Sequence, residues 1–216
     1  MAVMPVQARQ RKRQAARARI LEAARHAVAR SGWRDAQIAL IAHRADVATG
    51  SVYRHFDSKA ELYAEVLAMV SAREIAVVAA IVDSGGPAAQ RLVDAIYMFC
   101  LRAMRARQLA YALIAEPCEP EIDRARLKYR AALAEQIRTL VAEGIEQGEF
   151  IDIDARLAAS CITGAFMEAL VGPLAPEAAP GSRNSKELAR SMAALAARMV
   201  FRQAAPRLQA VSRGLR

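Results

Sequence analysis

The stretch Ala48-Thr49-Gly50-Ser51-Val52-Tyr53-Arg54-His55-Phe56-Asp57-Ser58-Lys59-Ala60-Glu61-Leu62 decides the fold. Its first half reads as a short helix, Ala48 to His55, with Val52 and Phe56 facing inward. Its second half is a capping box, with Ser58 as N-cap and Glu61 at N3, opening a long helix through Leu62, Val66, Met69 and Val70 to about Val82. Upstream, Asp35 is placed to cap another short helix carrying Ile38, Ile41 and Ala42, which stops at Ala45-Asp46-Val47. Asp46 stands where such a turn often wants a left-handed residue, and Asp tolerates that conformation better than most. Two short helices about a three- to four-residue turn form a helix-turn-helix. Before them, Ile20, Leu21, Ala24, Ala27 and Val28 recur at three- and four-residue spacings and mark an amphipathic helix that closes at Ser31-Gly32.

Downstream, Asp83-Ser84-Gly85-Gly86-Pro87 breaks the chain, and Pro87 suits the first turn of a fifth helix with Leu92, Ile96, Phe99, Cys100 and Ala103. A shorter helix with Leu109, Leu113 and Ile114 ends at Glu116-Pro117. A long one opens at Pro120-Glu121, is striped by Leu127, Ala131, Ala134, Ile137, Val141 and Ile145, and ends at Gly148. Another runs from Asp154 to about Val171, before a Pro/Gly-rich loop over 172–183. Asn184 with Glu187 opens a last helix carrying Leu188, Met192, Leu195 and Met199. The pattern predicts an all-α chain: an N-terminal three-helix helix-turn-helix head over 17–57 and a six-helix body over 58–205. A basic flexible arm over 1–16 and a loose tail over 206–216 flank them.

Composition agrees. The 216 residues include 50 Ala and only 5% aromatics, which favours helix over sheet. Charged side chains cut the apolar runs short of the ~20 residues that span a bilayer, no secretory h-region follows Met1, and three scattered cysteines suggest neither disulfides nor zinc. A cytoplasmic protein with no membrane, metal or cofactor is expected. Of the net charge of +9, the first sixty residues carry +8, from twelve Lys/Arg against four Asp/Glu. A positive module joined to a near-neutral one is the electrostatic footprint of polyanion binding, and it is equally that of a merely soluble basic face.

The segments Ile20-Leu21-Glu22-Ala23-Ala24, Ser31-Gly32-Trp33, Ile41-Ala42, Gly50-Ser51-Val52-Tyr53-Arg54-His55-Phe56 and Ser58-Lys59-Ala60-Glu61-Leu62 resemble the head of a TetR-family transcriptional regulator. The resemblance implies a homodimeric repressor that binds double-stranded operator DNA and whose variable helical body binds a small-molecule effector; the alternatives are an activator of the same fold and, from other classes, a helical enzyme or a dimeric scaffold with no ligand. It places Thr49, Gly50, Ser51, Tyr53 and His55 on the recognition helix and Lys59 at the next helix start, with hydroxyls and Lys59 reaching base edges or phosphates. Arg54 either reads a guanine or turns to solvent. Where the family often has Thr or Ser at the start of the second helix, Ala36 and Gln37 stand here, with Gln37 as the substitute phosphate ligand. The usual turn Gly is Asp46, and the usual Ser opening the third helix is Ala48.

For the body, Phe99, Met104, Tyr111, Tyr129 and Phe166 are candidate pocket residues, and each is as well explained as core. Arg126 and Arg130, one turn apart, suit either an anionic group at the pocket mouth or a solvated surface. The stripe Leu188, Met192, Leu195 and Met199, with Cys161, Ala165 and Glu168 on the preceding helix, resembles the family's four-helix dimer interface; a buried intramolecular stripe would look the same. The apolar, Met-bearing body points to a lipophilic effector. No nucleophile, Gly-rich phosphate loop or HExxH motif appears, and all three histidines fall in the head, so no enzyme is expected.

Overall fold

The computed structural model describes residues 6–178 and 184–201. Among them the chain forms nine helices and no strand: α1 (Val6–Asp35), α2 (Ile38–Arg44), α3 (Thr49–Val52), α4 (Lys59–Val82), α5 (Ala88–Arg105), α6 (Arg107–Ile114), α7 (Pro120–Glu146), α8 (Ala155–Leu174) and α9 (Ser185–Ala197). The all-α class and the head-and-body plan are as the sequence predicts; several boundaries are not.

α1 buries Ile20, Ala23, Ala24 and Val28 and starts at Val6, so residues 6–16, expected as a flexible arm, continue the helix. Gln, Arg, Lys and Ala fill most of that stretch, all good helix formers. α1 also passes Ser31 through a kink at Gly32 (φ 74, ψ −176) and closes at Asp35. Asp35 therefore does not cap α2; the N-cap is Gln37, whose side chain makes no cap bond. The turn after α2 places Asp46 at φ 53, the left-handed conformation expected, and the Arg19 guanidinium donates to Ala45 O at 3.0 Å, tying α1 to it. α3 is shorter than predicted, because Arg54 N–H and His55 N–H bond back three residues, to Ser51 O and Val52 O.

Ser58 Oγ accepts the Glu61 N–H at 3.0 Å, a cap that contributes about 1 kcal/mol, and the Glu61 carboxylate takes the N–H of Asp57. α4 then runs its 24 residues, roughly 36 Å, from the head into the body. Leu62 and Tyr63 lie in the head core, where Tyr63 Oη donates to Ala36 O at 2.6 Å and its ring meets Trp33 with centroids 5.2 Å apart.

In the body α7 packs against α4, α5 and α8, and α9 against α5. Pro87 is the N-cap of α5, whose first free N–H groups, Ala88 and Ala89, are taken by the Glu149 carboxylate at 3.1 and 2.8 Å. Buried Arg91 fastens the α4–α5 turn, donating to Val82 O and Gly86 O and pairing with Glu143 of α7. α8 is long and apolar enough, by length and composition, to cross a membrane, contrary to the expectation that no such run exists. Its Ile162, Phe166, Met167 and Leu170 are packed inside the bundle. Asp154 caps α8 and Asn184 caps α9. The expected loose tail, 206–216, lies outside the described residues.

Candidate nucleic-acid interface and ligand cavity

Helix α3 is anchored from beneath by Val52 and Phe56, both buried, which leaves Thr49, Gly50, Tyr53 and Arg54 exposed on one patch with Ser51 and His55 half-buried beside them. A Cβ placed on Gly50 would meet nothing within 4 Å, so the fold itself does not require glycine there. What the missing side chain leaves is a flat approach at the start of α3. Tyr53 is 51% exposed, which leaves its ring and hydroxyl open to a partner. Arg54 is exposed beside it, which leaves both of its sequence readings available.

Lys59 opens α4 next to this patch. Its Nζ donates to Arg34 O at 3.4 Å and lies 5.3 Å from the Tyr63 ring centroid, leaving further donors for a phosphate. Gln37, exposed at the start of α2, keeps its amide free of intrahelical duty. Burial, with the positive charges of Arg13 and Arg17, holds His55 below the ordinary histidine pKa, and its Nδ1 is buried without a partner. The neutral ring therefore suits a hydrogen-bonding role better than a charged one.

Such a patch can bind a duplex, because a helix-turn-helix sets the second helix in the major groove while its surroundings grip phosphates. Tyr53→Ala and Lys59→Ala are expected to weaken duplex binding several-fold across sequences. The Lys59 change should also flatten the dependence of log affinity on log salt by about 0.9 for each phosphate it ceases to neutralise. Fluorescence anisotropy over a salt series reads both, and an unaltered slope for Lys59→Ala would remove its phosphate role.

The predicted pocket residues are only partly brought together. Phe99 and Tyr129 line a narrow cavity of about 60 Å3 with Val70, Ala103, Ala106, Leu109, Ala110, Leu113 and Ile114, and the ion pair of Glu74 and Arg102 forms its polar wall. Both guanidinium bonds of that pair are 2.7 Å. Tyr129 is buried, which together with the nearby Glu74 charge raises its phenol pKa far above the ordinary value. Phe166 sits behind the wall, its ring centroid 5.2 Å from that of Phe99. Met104 packs against the core outside the cavity. Tyr111 faces a different cleft, between head and body, with Trp33, Lys59, Glu116 and Cys118. Glu74 and Arg102, which sequence reasoning misses, stand 28 residues apart, and nothing local pairs them.

Arg126 is buried and belongs neither to a pocket mouth nor to a solvated surface, while Arg130 lies on the exposed surface, as one of its two sequence readings has it. α6 ends at Ile114, before Pro117, and its last carbonyls lack intrahelical donors. Arg126, 8% exposed, donates to Leu113 O (2.9 Å), Glu116 O (2.7 Å) and Ala112 O (3.3 Å), and Arg130 donates to Ile114 O at 3.1 Å. The same α6 terminus holds the head. Trp33 Nε1 donates to Ala112 O at 2.6 Å, and the Glu116 carboxylate accepts the Trp33 N–H at 3.1 Å and the Arg34 N–H at 3.4 Å. That carboxylate lies over Gly32, where a Cβ would come within 2.6 Å of it.

On α8 and α9 the structure divides the expected interface set. Cys161, Ala165 and Glu168 are exposed on one face of α8, and Leu195 (61%) and Met199 (42%) are exposed on α9 or just past its end. Leu157, also exposed, adds to the α8 side. Met192 is 7% exposed and Leu188 half-buried, so these two join the chain's own core. The reason is the neighbouring stripe: Ala189, Ala193, Ala196 and Val200 let α9 lie close on α5, and that contact rotates Met192 inward.

A helix-turn-helix head with an exposed recognition surface, joined through α4 to a helical body with its own cavity, defines a DNA-binding transcriptional regulator. Residues 20–66 match the family model for bacterial regulatory proteins of the tetR family, and residues 85–171 match that for the tetracyclin repressor-like C-terminal domain. The chain belongs to the TetR family of transcriptional regulators. Similar solved structures include the transcriptional regulator FadR from Bacillus subtilis in complex with stearoyl-CoA, at 21% identity and TM-score 0.72, covering 83% of this chain and 97% of that one. RolR in complex with resorcinol is 21% identical, TM-score 0.66, covering 88% and 90%. The reduced form of Escherichia coli NemR is 16% identical, TM-score 0.68, covering 86% and 97%. At these identities the likeness is one of fold. Comparison with curated proteins yields no match.

Proposed function

We propose that this protein is a homodimeric repressor working in the cytoplasm, released from a roughly palindromic operator when a small lipophilic molecule enters the α4–α7 cavity, with no catalytic step. One observation carries the reading: α6 is at once a wall of the cavity and the seat of the head. Leu109, Ala110, Leu113 and Ile114 face the cavity, while Ala112 O and Glu116 at the same helix end hold Trp33 and Arg34.

Size decides the direction of the response. A space of about 60 Å3 holds roughly two waters, whereas ligand pockets commonly enclose 300–1,000 Å3. A ligand must therefore push the wall outward, and a shifted α6 carries α1 and the head spacing with it. The ligand favours release by as much as it binds the widened state better than the closed one. That related folds carry stearoyl-CoA and resorcinol supports an apolar chain or ring as the occupant.

The test is binding of the purified protein to duplex from its own upstream region against random duplex, at two salt concentrations, with and without a lipophilic metabolite extract. Tight, selective binding abolished by the extract is expected. Weak binding with equal affinity for both duplexes would overturn the reading, and selective binding indifferent to every extract would overturn the effector half of it.

A further inference from the structure

The leading turns of α1 are exposed almost throughout. Gln7, Arg9, Gln10, Arg11, Lys12, Arg13, Gln14 and Ala15 all face solvent, and no acidic residue occurs before Glu22. Arg9, Arg11, Lys12 and Arg13 make no ion pair among the described residues.

As a free helix this segment is badly arranged. Arg9, Lys12, Arg13 and Arg17 follow one another closely on one face, mostly at three- and four-residue spacings, where like charges repel. They also crowd the positive end of the helix dipole, whose first turn has no acidic residue. A polyanion alongside would reverse each of these penalties.

Its position supplies that polyanion. The Arg17 guanidinium lies 4.7 Å over the Phe56 ring and pairs with Glu65, while Arg13 and Arg17 both bear on His55. The helix thus leaves the head beside the end of the recognition segment, next to exposed Tyr53 and Arg54. From Arg17 to Arg9 it advances roughly 12 Å, with each four-residue step of about 6 Å close to two base-pair rises of duplex.

We propose that residues 6–16 of α1 are a second DNA-binding element, in which Arg9, Lys12 and Arg13 pair with phosphates of the duplex flanking the site held by α3. The contact is independent of base sequence, extends the footprint outward on both sides of a dimer, and rests on the DNA-binding reading given above.

The experiment uses the full chain and a site selected by the wild-type protein from a randomised duplex library. Wild type is compared with the triple variant Arg9→Gln, Lys12→Gln, Arg13→Gln, which keeps helix propensity, on that site with no flanks and with about ten flanking base pairs on each side, roughly one helical turn. For wild type the flanks should raise affinity at low salt and steepen the salt slope by up to about five, three phosphates for each of two protomers. The triple variant should lose that gain while matching wild type on the short duplex, with unchanged helicity and melting. Arg9→Lys with Arg13→Lys should retain it. A wild type indifferent to flanks, or a triple variant weakened equally on both duplexes, overturns the proposal. If selection yields no preferred site, the DNA-binding reading falls first and this falls with it.

Discussion

Leu195→Arg should turn a dimer into monomers and cost operator affinity on the order of a thousandfold. Leu195 is 61% exposed on α9, one turn before exposed Met199, and α9 packs against α8, whose Leu157, Cys161 and Ala165 are also exposed. In a two-fold contact each substitution enters twice, so two guanidiniums would be forced into an apolar contact. A linked second recognition helix acts at an effective concentration near millimolar, and its loss removes that factor at nanomolar protein. Sedimentation equilibrium and operator titration read the two effects. Leu127→Arg, at an equally exposed leucine on α7, should change neither. A Leu195→Arg protein that remains a tight dimer would place the interface elsewhere.

Arg126→Met should be strongly destabilising, and it should also disconnect ligand from DNA. Methionine keeps the stem packed but leaves Leu113 O and Glu116 O without their donor, and weakens the hold on Ala112 O. Hydrogen bonds from a charged group contribute about 1.5–3 kcal/mol each, and buried carbonyls left bare recover only part of that from water. A loss of about 3 kcal/mol is expected, which lowers the melting temperature of a chain this size by roughly 10 °C. Because Ala112 O also accepts from Trp33 Nε1, and the Glu116 main chain that Arg126 holds carries the carboxylate that binds the Trp33 N–H, the ligand-induced drop in operator affinity should shrink as well. Calorimetry and titration with and without ligand test both parts, and a variant that melts like wild type would show that Arg126 does not buttress α6.

These two residues also mark where sequence stops informing structure. The head is legible because its determinants are local: Ser58 and Glu61 are three residues apart, Asp46 needs only its own backbone to adopt φ 53, and Val52 and Phe56 lie one turn apart. The basic stretch 6–16 shows the limit even there. Its charges suggest an arm, while its Ala, Gln and Arg content lets α1 simply continue.

In the body the deciding contacts are distant. Arg126 and Arg130 have the spacing of any surface pair, and only the end of α6, more than ten residues earlier, makes Arg126 structural while Arg130 stays exposed. The cavity's polar wall joins Glu74 to Arg102 across two helices. Met192 and Leu195 belong to one apolar stripe, and which of them faces inward depends on how closely the alanines of α9 let α5 approach.

The joint at Gly32 bears on how such proteins diversify. Glu116 grips two main-chain N–H groups, Trp33 grips a main-chain carbonyl, and Gly32 contributes only the lack of a side chain. Apart from Gly32, Trp33 and Glu116, the coupling is written in backbone, which every sequence possesses. Surfaces on α3 can thus drift toward new operators, and cavity walls toward new effectors, without renegotiating the connection between them. A head grafted from a relative carrying Gly-Trp at this point should dock on this body and obey its ligand.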